Sequence, residues 1–278
     1  MCGQISSRMA EWFVTIRRPN YVGYPSHRLK LVRALEHLGE LHSSVQAFGE
    51  SSPYTITLDD DLDTGEKVAK IKLPVQPPVG ISVLAADAIH NLRQALDHLA
   101  YQVAILVSGS DPPPNEETAA WPIHNTEKAF RDQLGRKIGT PTKIPKTLLT
   151  ILESLQPYQG GDGDMLRILR DMDDGAKHRY YPAVAGIVRT ASRIEAGSVA
   201  PLVQLEPLEV GETEVARFKP VGTQVKMEGT FEVNVIFGPG SPAAGLMVTQ
   251  YIQATREMLT KRLVEPSEAI LYPSASAP

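Results

Sequence analysis

Between Pro25 and about Phe48 the apolar positions Leu29, Val32, Leu35, Leu38, Leu41 and Val45 recur at steps of three and four, the spacing of one buried stripe on a helix. Next, Tyr54–Leu58 and Val68–Leu73 alternate apolar and polar residues around the acidic turn Asp59–Gly65, which predicts a β-hairpin. Pro77 and Pro78 stop the second strand, and helical periodicity then runs from Ile81 to Val107, predicting a long central helix. After the Pro- and acid-rich loop Ser108–Thr118 and the string Trp121-Pro122-Ile123-His124, two short helices are expected near Thr126–Leu134 and Lys146–Leu155. Gly160–Gly163 reads as a break. Asp164 then suits the N-cap of a helix Met165–Asp174, with Gly175 placed where a helix weakens or ends. From Tyr181 the period becomes two: strands are expected over Ala183–Thr190, Leu202–Leu208, Glu214–Phe218 and Val225–Phe237, closed by Gly238-Pro239-Gly240. Pro242–Val264 returns to a helical period, and the Ser-, Ala- and Pro-containing residues 266–278 read as a disordered tail.

This order predicts an α+β fold: a helical N-terminal part with a β-hairpin and a long central helix, followed by a β-rich part and a C-terminal helix. One domain over residues 1–265 is expected, helix-rich over 25–180, β-rich over 181–240 and closed by a helix over 242–264. The regular β-α-β alternation of a doubly wound sheet is absent. So are a phosphate loop, a dinucleotide glycine fingerprint, a Gly-x-Ser-x-Gly elbow and an internal repeat.

With 278 residues, 42% of them hydrophobic, the chain can fill a core without covalent staples. Cys2 is the sole cysteine, which excludes a disulfide framework and a cysteine-based zinc site and fits a reducing cytoplasm. Residues 1–18 carry no apolar run of signal-peptide length. The most apolar later stretches are interrupted by charge, so no membrane association is expected and a cytoplasmic location is. A net charge of −4 provides no general field for nucleic acid, so DNA is not an expected partner and RNA would need a local patch. Arg167, Arg170, Lys177, His178 and Arg179 are the best such cluster. Asp59, Asp61 and Asp63 have the look of a calcium loop, yet the glycine comes one position late and the flanks are strand-like.

The densest polar chemistry lies on the central helix. At about 100° per residue, Ala85, Ala88, Ile89, Leu92, Ala95, Leu96, Leu99 and Val103 fall on one arc. The other side carries two stripes, Asp87, Asn91, Gln94, His98 and His90, Asp97, Tyr101, each pairing a carboxylate with an imidazole. Such a pair can orient a tautomer and raise basicity, as general-base chemistry or metal ligation requires. A solvated helix face would hold more Lys and Glu. Asp171, Asp174 and His178 form a second constellation, which needs the helix to continue through Gly175.

Arg93 and His98 form an Arg-x4-His arrangement, with Tyr101 three residues on, that resembles the signature of the HEPN superfamily. That resemblance implies a metal-independent ribonuclease of a toxin–antitoxin or phage-defence system, acting on RNA as a homodimer. In such a protein Arg93 would hold the scissile phosphate and His98 would perform acid–base transfer at a ribose 2′-hydroxyl. Gln94 departs from the Asn, Asp or His usual after that arginine, and Arg93 and His98 lie about 140° apart on an ideal helix. A broader set of strings resembles a group of uncharacterised bacterial proteins. They are Asp87-x-x-His90-Asn91-Leu92-Arg93-x-Ala95-Leu96-Asp97-His98-Leu99, Trp121-Pro122-Ile123, Gln156-Pro157-Tyr158 and Lys177-His178-Arg179. That likeness implies that His90, Arg93, Asp97, His98, Lys177, His178 and Arg179 belong to one pocket.

Three readings therefore stand side by side. The first is a ribonuclease with Arg93, His98, Asp97 and His90 as catalytic residues, Lys177, His178, Arg179 and Tyr101 contacting substrate, and no cofactor. The second is a non-enzymatic binding protein whose polar network fixes the fold. The third is a metal-dependent enzyme with Asp87, His90, Asp174 and His178 as ligands.

Overall fold

The leucine stripe folds as helix α1 (Ser26–Glu50), but its buried line is His27, Leu31, Ala34, Leu38, Leu41 and Phe48, while Leu29, Val32, Leu35 and Val45 flank it half-buried. The computed structural model describes residues 25–51, 53–178, 181–190, 203–218 and 233–273. The hairpin follows as β1 (Thr55–Asp61) and β2 (Glu66–Leu73), and the central helix α2 spans Val79–Ser108. Shorter helices follow: α3 (Glu127–Lys137), α4 (Lys146–Ser154) and α5 (Asp162–Ala176). The strands β3 (Ala183–Thr190), β4 (Val203–Pro207), β5 (Gly211–Phe218) and β6 (Val233–Phe237) precede α6 (Val248–Leu259), a π-helical turn over Thr260–Val264 and a last helix α7 (Glu265–Leu271). The fold is α+β. Among the described residues no helix is long and apolar enough to cross a membrane.

Several boundaries differ from the sequence reading for identifiable reasons. Asp164 sits inside the first turn of α5 rather than capping it, and α5 runs through Gly175 to Ala176. At Gly175 an added Cβ would lie 1.8 Å from the Tyr181 hydroxyl oxygen, so the glycine serves a close approach within the helix and does not end it. The helix expected from Pro242 starts only at Val248, because the chain first doubles back on β6: Met247 bridges Ile236, and the Phe237 amide donates to the Leu246 carbonyl at 3.0 Å. Residues 266–271, expected to be disordered, belong to helix α7; Glu265 and Pro266 stand in its first turn, where an acidic side chain and a missing N–H are both favourable. The part of the expected strand Val225–Phe237 before Val233 lies outside the described residues, as do the tail residues 274–278.

The chain groups into two compact units that interleave in sequence. The first comprises Met1–Gly39, Ala88–Arg167 and Arg256–Pro278, and its centre is the apolar arc of α2: Ala88, Ile89, Leu92, Ala95, Leu96, Leu99 and Val103 are each at most 1% exposed. Trp121, Phe130, Leu134, Leu148 and Leu263 are equally buried in that unit. Thr126 caps α3, its hydroxyl accepting from the Ala129 amide at 3.2 Å. Gly163 permits another close approach, since a Cβ there would stand 2.4 Å from the Gln156 carbonyl oxygen.

The second unit, Glu40–Asp87 with Ile168–Thr255, holds two antiparallel sheets, ordered β1-β2-β5 and β4-β3-β6. Ala69, Ile71 and Leu73 of the first sheet pack with Ala185 of the second and with Leu208 and Val215. Gln76 joins them: its amide accepts from the Ala185 N–H at 3.0 Å and donates to the Leu208 carbonyl at 2.6 Å. The aspartates of the hairpin are paired across strands. Asp59 meets Lys70 at 2.8 Å, Asp60 meets Lys67, and Asp61 accepts from Arg217 at 2.7 Å. Asp61 also accepts from the Asp63 and Thr64 amides, and Arg217 first, then these amides, hold its carboxyl down to about 2. This is an Asx-closed turn, which accounts for the acidic run without a cation.

Replacing an exposed helical glycine by alanine normally stabilises by about 1 kcal/mol. At Gly163 the added methyl meets backbone, so Gly163→Ala is expected to destabilise by about 1–3 kcal/mol. Gly175→Ala should cost less, because the Tyr181 ring can swing. Denaturant midpoints check both, and a more stable Gly163→Ala protein would contradict the packing described.

Candidate functional site

The Trp121–His124 segment has no regular secondary structure, and Trp121, Pro122 and Ile123 are buried, so their backbone polar groups need partners. α2 and the end of α4 supply them. The Asp97 carboxylate accepts from the Trp121 amide at 3.0 Å and pairs with Arg93, one turn back, at 2.7 Å. Arg93 in turn donates to the Trp121 carbonyl at 3.2 Å. On the other side the fully buried Gln156 donates to the carbonyls of Pro122 (2.7 Å) and Leu152 (2.8 Å) and accepts from the His124 amide at 3.0 Å. Arg93, Asp97, Trp121-Pro122-Ile123 and Gln156 therefore form one clamp. Arg93, Asp97, Trp121-Pro122-Ile123 and Gln156 of the strings quoted above thus have a structural task.

His98 faces other neighbours. It is half-buried, and burial first, then Lys30 and His27, lowers its pKa against the opposing pull of Asp97. The imidazole is therefore neutral near pH 7. Lys30 makes no ion pair with any described residue. His27 and Arg28, from the first turn of α1, both converge on Glu268 of α7: the fully buried His27 ring sits 2.7 Å from its carboxylate, and the Arg28 guanidinium engages both carboxylate oxygens. Tyr272 beyond α7 donates to Gln102 of α2 at 3.3 Å. The charges that act on His98 thus come from Lys30 and His27, and His27 is tied through Glu268 to Arg28, all in the first unit. None of these partners was singled out from the sequence. The signal for Glu268 and Tyr272 was invisible there, because both lie in the stretch read as a disordered tail.

The remaining candidates have other neighbours. The exposed His90 ring contacts the Gln94 amide at 2.7 Å. Tyr101 faces the acidic loop instead, burial first and then Asp111 and Glu116 raising its phenol pKa. Lys177 and His178 belong to the second unit and are exposed; Lys177 bridges Asp173 (3.1 Å) and Asp174 (3.0 Å). Asp171 is paired with Arg170 at 2.7 Å, and Arg179 lies outside the described residues. Because α5 stops at Ala176, His178 occupies a turn, its amide bonding the Gly175 carbonyl, and leaves the helical face of Asp171 and Asp174. Among the described residues no three His, Cys, Asp or Glu side chains group to hold a metal ion. No protein-family model matches the chain, and neither a curated protein nor a solved structure matches it significantly.

Gln156→Ala is expected to destabilise by about 2–4 kcal/mol, because it strands two buried carbonyls and one amide. A loss too small to measure by denaturant unfolding would remove the clamp from the account. The His27–Glu268 pair predicts a pH dependence as well. Burial outweighs the Glu268 bond and lowers His27 below 6.5; for Glu268 burial alone would raise the pKa, but the bonds from Arg28 and His27 leave it below 4.5. Both groups are depressed in the folded state, so each contributes stability at neutral pH that is lost as pH falls. The melting temperature should therefore drop from about pH 6.5 downward, with His42 and His98 adding to the effect, and the drop should be shallower in His27→Gln.

Proposed function

We propose that this chain is a cytoplasmic, metal-independent, HEPN-like ribonuclease in which His98 is the acid–base group, serving a defence or toxin role. The observation that supports it is the setting of His98: a neutral, partly accessible imidazole within electrostatic reach of Lys30, which forms no ion pair with any described residue. A neutral imidazole can take the proton of a ribose 2′-hydroxyl as that oxygen attacks phosphorus, and a cation within reach favours the negative phosphate. Arg93 plays a positioning part within one chain, because Asp97 and the Trp121 carbonyl occupy it. The Arg–His meeting that the resemblance implies would then need a second copy of the chain.

The same occupation of Arg93 favours a second reading, in which the signature residues only fix the fold and the protein binds a partner without turnover. Both readings are tested by RNA degradation in the presence of a chelator. The ribonuclease reading expects chelator-resistant cleavage, reduced at least about 100-fold in His98→Ala with no change in melting temperature. Its rate should rise with pH through a pKa below 6.5 and level off near neutrality. Arg93→Ala should lose activity and stability together. Absence of cleavage across structured and single-stranded RNAs, or an active His98→Ala protein, contradicts it and leaves the binding reading.

A further inference from the structure

Arg256 stands in the last turn of α6, four residues before the backbone widens into the π-helical turn at Thr260. Its side chain is half-buried, and Nε is closed to solvent yet has no acceptor. The other partly buried guanidinium groups among the described residues each have a carboxylate: Arg28 with Glu268, Arg93 with Asp97, Arg167 with Asp164, Arg170 with Asp171. Arg256 forms no ion pair with any described residue, and Glu257 acts on it only at longer range. A desolvated charge without a counter-charge is costly, and natural proteins normally answer it.

The π-helical turn is a second, independent feature at the same place. One wide turn costs hydrogen-bond geometry and occurs most often where a helix is adapted to a site. It begins at Thr260, whose hydroxyl donates to the Arg256 carbonyl at 2.8 Å. The turn therefore fixes the backbone of the residue whose side chain is left without a partner.

We propose that Arg256 anchors a binding site for an oxyanion, the phosphate or carboxylate group of a small ligand, which would occupy two N–H groups of the guanidinium fork. The site is separate from His98 and does not depend on its role.

The test is thermal melting of the full chain, titrated with inorganic phosphate or with acetate against chloride at constant ionic strength. Wild type should show a saturable rise with at least one oxyanion, phosphate alone assigning a phosphate-bearing ligand and acetate alone a carboxylate. Arg256→Met should melt no lower than wild type in chloride and show no rise. Should Arg256→Met fail to fold, Arg256→Lys, which keeps the charge and loses the fork, should bind about tenfold more weakly. A wild-type response no larger than that to chloride overturns the proposal. So does an equal response in Arg256→Met, or a response that persists there while Lys30→Ala abolishes it.

Discussion

A stretch of chain without helix or strand can enter a core only if its amides and carbonyls find partners there, and Trp121–His124 meets that condition through three side chains. Asp97 takes the Trp121 amide, Arg93 the Trp121 carbonyl, and Gln156 takes Pro122 and His124 together. Neutral amide bonds add about 1 kcal/mol each in the net, but losing one partner leaves a buried group unanswered. The clamp therefore acts mainly through what its absence would cost. It ties the loop after α2 to α2 itself and to the end of α4, and Gly163 lets α5 start directly against Gln156. The first unit is organised around this arrangement.

The same arrangement decides what the polar face of α2 has left for chemistry. Arg93 and Asp97 are committed to the loop, while His98, adjacent to Asp97 in sequence, is set by burial and by the charges of Lys30 and His27. Asp97 favours the charged imidazole, and burial, Lys30 and His27 oppose it more strongly. A neutral histidine results. Glu268 neutralises Arg28, while Lys30 forms no ion pair with any described residue.

Periodicity made the helices and hairpin legible, since burial of one face is a local demand repeated along each element. The arc on α2 is buried as its spacing predicts, and both strands of the hairpin fall close to the expected residues. On α1 two apolar lines interleave, and spacing alone did not decide which one is buried. Features set by distant partners were opaque. Glu268 is ordered by His27 and Arg28, some 240 positions earlier in the chain. Gly175 serves Tyr181, and Met247 bridges Ile236 before α6 can begin. The candidate site was legible in part for the same reason: concentrated polar residues marked α2, but their division between the clamp and the setting of His98 depends on α1, α4 and α7.

Native-state hydrogen exchange resolved to single amides tests the central claim most directly, because an irregular segment on a protein surface exchanges quickly. The account predicts that the Trp121 and His124 amides exchange as slowly as those in the middle of α2, opening only with global unfolding. Exchange at those two amides as fast as in the Ser108–Thr118 loop would contradict it.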